Sequence, residues 1–209
     1  HYDRLLRIFP QAKFIYLLRD PRDVARSNIG MGWAGNVWYG VDRWIKAEEL
    51  WCNVKSHLAN NRYIEVRFEN LIIFPEDTLE GICQFLNVKY NRRMLSYPEY
   101  TTYSRPNPDL IEQWKKKLSL KELELVEFKA KELMTGRGYN LRSDTQNRPS
   151  SIQLLFLYVQ NKYSKINFRI QRFGWVLFLC DFLSRKLNMP QWNKELKIKM
   201  NAIETKHLK

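Results

Sequence analysis

Acidic side chains are in short supply in this 209-residue sequence: 22 Asp and Glu face 35 Lys and Arg, a net charge of +13. So basic a balance points to an anionic partner. Histidine and cysteine are scarcer still. His1, His57 and His207 and Cys52, Cys83 and Cys180 are widely separated, and no spacing among them suggests a zinc site, so no metal is expected. Three cysteines, an odd number, argue against a disulfide scaffold and fit a reducing, cytoplasmic compartment. Eight Gly and 8 Pro are too few for a collagen-like or low-complexity chain. No apolar run approaches the roughly 20 residues that a spanning helix needs. The longest, around Gly174–Cys180, is far shorter. No secretory signal opens the chain, which begins at His1 rather than Met, so its true start is expected upstream.

What is present can fold. A 44% hydrophobic and 14% aromatic composition supports a sizeable core and excludes intrinsic disorder. The length suits one domain, or one domain with an appendage. Charge divides the chain the same way: residues 1–149 carry 24 basic and 19 acidic groups, net +5, whereas residues 150–209 carry 11 and 3, net +8. A polar seam near Asp144–Ser151, containing Pro149, separates a mildly basic body (1–145) from a strongly basic tail (150–209).

The body reads as alternating strands and helices. Ala12–Leu18 is a short apolar run, interrupted only by Lys13, the pattern of a strand buried on both faces. A helix starts directly after Arg19: Asp20 can cap it, Pro21 suits its first position, and Asp23 stands where a capping box places an acid. One long helix is predicted from about Val37 to Leu58. Tyr63–Phe68 alternates as a second strand. Pro75 opens a helix with Leu79, Ile82, Cys83 and Leu86 on one face. Asp109–Lys117 is predicted helical, and Ser119 with Glu122 forms a capping box for Leu120–Thr135, which Gly136 terminates. Strand–helix alternation predicts an α/β fold with a parallel sheet and helices packed on it. In the tail, Ile152–Tyr163, Ile166–Leu187 and Trp192–Ile203 read as amphipathic basic helices, suited either to pack on the body or to lie on an anionic membrane surface.

Chemistry concentrates at residues 12–30. In a parallel sheet, ligands bind beyond the carboxyl ends of the strands, where Arg19 sits. Helical steps from Asp20 through Asp23 place Ser27 on the same side of the following helix. A guanidinium fork beside a hydroxyl suits a phosphate. Asp20 competes for the free helical N–H groups, so the anion is expected between Arg19 and Ser27, off the helix axis. The alternative makes Arg19 an ion-pair partner of Asp20 or Asp23, and Ser27 a surface hydroxyl.

The run AKFIYLLRDPRDVARS at 12–27 resembles the 3′-phosphate-binding segment of the sulfotransferases that use 3′-phosphoadenosine 5′-phosphosulfate (PAPS). The likeness extends through MGWAGNVWYGVDRW (31–44), VRFENLIIFPEDTLEGICQFLNV (66–88), DLIEQWKKKLSLKELELVE (109–127) and GRGY (136–139), about two thirds of the chain, and is nearer the bacterial branch than the mammalian cytosolic one. It implies a partial P-loop-like parallel sheet flanked by helices, with a helical basic C-terminal tail. It also implies sulfonate transfer from PAPS to a hydroxyl or amine acceptor, carbohydrate or lipid among the candidates, with no metal and no nucleic acid partner. By that resemblance Arg19 and Ser27 hold the 3′-phosphate. Phe68, where relatives often have Tyr near the adenine, offers a ring contact or simply core packing. Arg105 in SRPNPD is a candidate second phosphate contact. The family's 5′-phosphosulfate loop, rich in Lys, Ser, Gly and Thr, has no counterpart here. The catalytic base is unassigned, since His57 near the end of a helix reads as a surface residue. The chain alone is therefore expected to be inactive, a fragment of the enzyme. A second reading is a non-catalytic basic module recruiting nucleic acid or anionic membrane through its tail.

Two features carry less. Gly30–Gly35 satisfies G-x-G-x-x-G, but it follows a helix instead of opening one after a strand, against a dinucleotide fingerprint; a flexible connector or an acceptor-side loop is the better reading. Trp33, Trp38, Trp44 and Trp51 fall at helical spacings that favour core packing for most of them over an acceptor site.

Overall fold

The computed structural model describes residues 2–101, 103–143 and 148–207. The part of the charge seam at 144–147, His1 and the side chain of His207 lie outside the described residues. The chain is mostly helical around a small parallel sheet.

A short helix α1 (Tyr2–Ile8), which the sequence did not suggest, precedes strand β1 (Phe14–Leu18). Helix α2 (Pro21–Gly30) follows at once, with the Asp20 side chain accepting from the Arg22 N–H at 2.9 Å and Pro21 at its first position. Asp23 does not complete a capping box. Its Oδ1 accepts from the Trp114 N–H at 2.8 Å, a partner 91 residues away that local spacing cannot reveal.

The long helix expected over 37–58 is two: α3 (Val37–Gly40), capped by Asn36, and α4 (Asp42–Lys55). Gly40 lies so close to the Ala25 backbone on α2 that a Cβ there would collide with it, which sets the position of α3. Strand β2 (Tyr63–Arg67) pairs parallel to β1, with Phe14 opposite Tyr63 and Leu18 opposite Arg67. It stops one residue short of expectation, because Phe68 begins helix α5 (Phe68–Ile73). Helix α6 (Pro75–Leu86) ends at Asn87 in the left-handed region (φ 61°). Nor is β1 buried on both faces: Leu18 is buried and Tyr16 half-buried, but Ile15 and Leu17 remain about half exposed.

The predicted helix at 109–117 reduces to a 3₁₀ turn at Pro108–Leu110 and a single turn, α7 (Trp114–Lys117). Glu112 (φ 52°) breaks it, and the Trp114 N–H is diverted to Asp23. Helix α8 (Leu120–Gly136) carries the expected Ser119–Glu122 capping box. Its Val126, Ala130 and Met134 meet Ala25, Val37, Val41 and Trp44 in the main core, with Leu18 at the strand end.

The tail is helical, with different breaks from those read in the sequence. Helix α9 (Ser151–Phe173) runs unbroken through 163–166 and stops at Gly174 (φ 79°), and α10 (Trp175–Lys186) and α11 (Pro190–His207) follow. α9 is seated on the body at the glycine-rich loop. The Gly35 N–H donates to Asn161 Oδ1 at 2.7 Å, and Asn36 Nδ2 donates to the Leu157 carbonyl at 2.7 Å and to Gln160 Oε1 at 3.0 Å. A Cβ at Gly35 would strike the Asn161 backbone, and one at Gly32 (φ 71°) the Phe168 ring. The G-x-G-x-x-G run is thus the seat of the tail.

Candidate functional site

Register places the site. Leu18 and Arg67 are paired at the carboxyl ends of adjacent parallel strands, so the next residues, Arg19 and Phe68, emerge side by side at that edge. The Arg19 guanidinium lies over the Phe68 ring, 4.3 Å from its centre. One arm donates to the Leu110 carbonyl at 2.8 Å. Its backbone carbonyl accepts from the buried Trp44 indole N–H at 2.9 Å, which fixes where the side chain starts.

Arg19 is ion-paired with neither Asp20 nor Asp23. That role falls to Arg22, which the sequence reading passed over. Arg22 is buried, bonds Asp20 at 2.6 Å and Glu127 at 2.7 Å, and stacks 3.8 Å over the Trp114 ring. Glu127 also accepts from the Arg142 and Ser143 N–H groups, so the start of α2, the middle of α8 and the segment after α8 share one charge cluster. The Asp20 N–H donates to Glu69 at 3.0 Å, tying α2 to α5. With these acids engaged, Arg19 keeps its charge available, and its buried Nε meets no acceptor among the described residues. Burial pushes the Asp23 carboxyl above its ordinary value, and the Trp114 N–H and the Arg19 charge only partly oppose this.

A cavity of about 840 Å³ opens beside this pair, lined by Phe68, Leu71, Pro75, Tyr97, Arg105 and Leu110 among others. Arg105 is exposed on its rim. Three of the four residues picked from the sequence, Arg19, Phe68 and Arg105, therefore gather around one apolar space through direct lining or through Leu110. Ser27 is exposed on α2, one helical turn beyond Asp23, and does not line that cavity.

Other candidates resolve into structure. His57 is exposed with Nδ1 2.7 Å from the Asn53 carbonyl. Trp44 and Trp51 are buried, Trp38 stacks near Phe128, and Trp33 is half exposed beneath Arg43. Lys115–Lys117 is a solvated helix end. A second polar cluster lies inside the body: Tyr16 stacks on Trp51 and donates to Glu48 at 2.7 Å, while Arg137 bridges Glu48 at 2.6 Å and Glu65 at 2.9 Å. It joins both strands to α4 and the end of α8, and burial first, then the Glu48 charge, pushes the Tyr16 hydroxyl well above its ordinary value.

Residues 1–92 match the model of the sulfotransferase family. Protein-tyrosine sulfotransferase 2 of Gallus gallus is 28% identical over 101 residues, 46% of this chain and 27% of its own. Protein-tyrosine sulfotransferase of Drosophila melanogaster is 26% identical over 109 residues, 49% of this chain and 21% of its own. The chain thus spans about a quarter of the length of these curated relatives, 27% and 21%. Among solved structures, the sulfotransferase domain from the curacin biosynthetic pathway superposes with a TM-score of 0.55 at 21% identity, covering 67% of this chain and 58% of that one. The sulfotransferase domain of the Synechococcus PCC 7002 olefin synthase gives 0.50 at 22% identity, over 63% and 51%. These two likenesses establish the fold, and residues 1–92 carry the likeness to the sulfotransferase family.

Proposed function

We propose that this chain holds the nucleotide end of PAPS in a sulfotransferase that acts on a hydroxyl or amine acceptor. The observation that carries the reading is Arg19 at the carboxyl edge of β1, stacked on Phe68, with a buried Nε that meets no acceptor among the described residues, beside the cavity that Arg105 rims. A guanidinium held by its neighbours, yet with a donor to spare, suits the 3′-phosphate. Ser27 adds a neutral donor from α2, Phe68 an aromatic face for the base, and Arg105 a second cation. Asp20 caps α2, so the anion sits to the side of the helix axis. The names of the chicken and fly relatives specify protein tyrosine, a phenolic hydroxyl, within the acceptor class proposed here.

Bound PAPS supplies an activated sulfonate whose departure leaves charge on the 5′-phosphate. Arg19 and Ser27 do not touch the reacting sulfur. Their part is to fix the far end of the donor, so that the sulfonate is presented in one orientation.

Calorimetric titration with adenosine 3′,5′-bisphosphate and with 5′-AMP tests the assignment. The chain is expected to prefer the bisphosphate. A charge-assisted contact contributes roughly 1.5–3 kcal/mol, so Arg19→Ala should weaken bisphosphate binding about ten- to a hundredfold. Ser27→Ala removes a neutral donor and should cost on the order of 1 kcal/mol. Equal affinity for the two nucleotides, or an Arg19→Ala variant that still discriminates between them, overturns it.

A further inference from the structure

Helix α9 turns its polar seat toward the body and something unusual toward solvent. Leu157 and Asn161 are buried against the body, and Phe168 lies against Gly32. At helical spacing on the opposite side stand Leu155, Val159, Tyr163 and Ile166, between 46% and 70% exposed, while Ile152 and Phe156 border a groove against α8. A surface helix ordinarily buries its apolar stripe and shows its polar one. Here the outermost stripe is the apolar one. Lys162, Lys165 and Arg172 follow one another along its edge, with Arg169 between them turned to Asp181, and no Asp or Glu occurs anywhere in α9. Helix α10 repeats the pattern with Trp175, Val176, Leu179, Phe182 and Leu183 all at least 42% exposed. The one acid of α10, Asp181, is buried and bonded to Arg169 and Arg185, which withdraws its charge from the surface.

We infer that the outer faces of α9 and α10 form a docking surface for an anionic lipid bilayer. Exposed apolar surface this extensive calls for an occupant, and its charged border selects which. A row of cations beside an apolar stripe suits acyl chains below an anionic headgroup layer, with Tyr163 and Trp175 at the interface. A second copy of this chain fits poorly, since the basic borders of two tails would face each other. No described helix is long and apolar enough to cross a membrane, so the contact is with the surface. The inference is independent of the nucleotide reading, and its test uses no nucleotide.

The test is co-sedimentation of the full chain with vesicles of phosphatidylcholine alone and of three parts phosphatidylcholine to one part phosphatidylserine. Binding to the anionic vesicles only, falling as salt is raised, is expected. Lys162→Gln and Lys165→Gln should each weaken it about fivefold. Leu155→Ser with Val159→Ser should abolish it, and because both positions are exposed, circular dichroism and thermal unfolding should be unchanged. Equal binding to both vesicle types, no binding to either, or full binding by the serine variant overturns the inference. So does a concentration-dependent dimer that the serine variant dissolves while vesicles bind nothing.

Discussion

Arg19 and Arg22 stand three residues apart in the same R-D-P-R run, and the structure gives them opposite occupations. Arg22 faces inward, where both of its carboxylate partners are buried with it. Removing one member of such a cluster leaves the others charged and uncompensated. Arg22→Met should therefore destabilise the fold by about 3–5 kcal/mol in urea unfolding, whereas Arg19→Ala should leave the urea midpoint close to that of the parent. The strand edge that makes Arg19 a ligand candidate is legible from the apolar run Phe14–Leu18 ending at a cation. The task of Arg22 is not, because its partner Glu127 lies 105 residues away and only the packing of α8 brings it near. Asp23 misled for the same reason, its local position suggesting a cap while its carboxylate serves α7.

At the level of elements, what could be read locally was read well. The two strands, the Asp20 cap of α2, the capping box of α8 and the helicity of the tail all follow from patterns a few residues long, and the parallel pairing follows from their alternation along the body. The break in the 37–58 helix falls instead at Gly40, whose backbone lies against Ala25 and whose carbonyl accepts from Asn28 Nδ2, and the 109–117 helix gives way at Glu112 beside a bond to α2. The glycine-rich loop is the sharpest case: Gly32 and Gly35 mark the close approach of α9, a helix more than a hundred residues on. Gly32→Ala forces a side chain onto a left-handed backbone and into Phe168, and should cost about 1–2 kcal/mol from the backbone alone. The expected outcome is a loosened tail, seen as faster proteolytic cleavage within 150–209 while the body resists. Gly30→Ala meets open space and should leave the digestion pattern unchanged.

For the molecule as a whole, the inner network of Tyr16, Glu48, Glu65 and Arg137 sets a pH dependence. Burial pushes the Glu65 carboxyl up, but hydrogen bonds from Trp51, Arg137 and Lys55 outweigh it and hold the carboxyl below its ordinary value of 4.5. The unfolded chain therefore takes up this proton first as pH falls. The stability Glu65 contributes is complete above its ordinary value and is lost as pH drops through the lower folded one. Urea midpoints followed from neutral to acid pH should fall across that window, and Glu65→Gln should flatten this part of the curve while lowering the neutral value. Asp23 works in the other sense, its raised value costing stability as pH climbs out of the acid range, so Asp23→Asn should remove that opposing slope.

The bonds that hold α9 also have an angular consequence. A helix resting on an apolar groove can rotate about its own axis and trade one greasy side for another. α9 is pinned instead by directional bonds at Leu157, Gln160 and Asn161, with glycines removing any cushion between the backbones. Its roll is fixed. The stripe from Leu155 to Ile166 cannot turn under to hide, so this chain displays it constitutively, and no ligand or trigger has to bring it out.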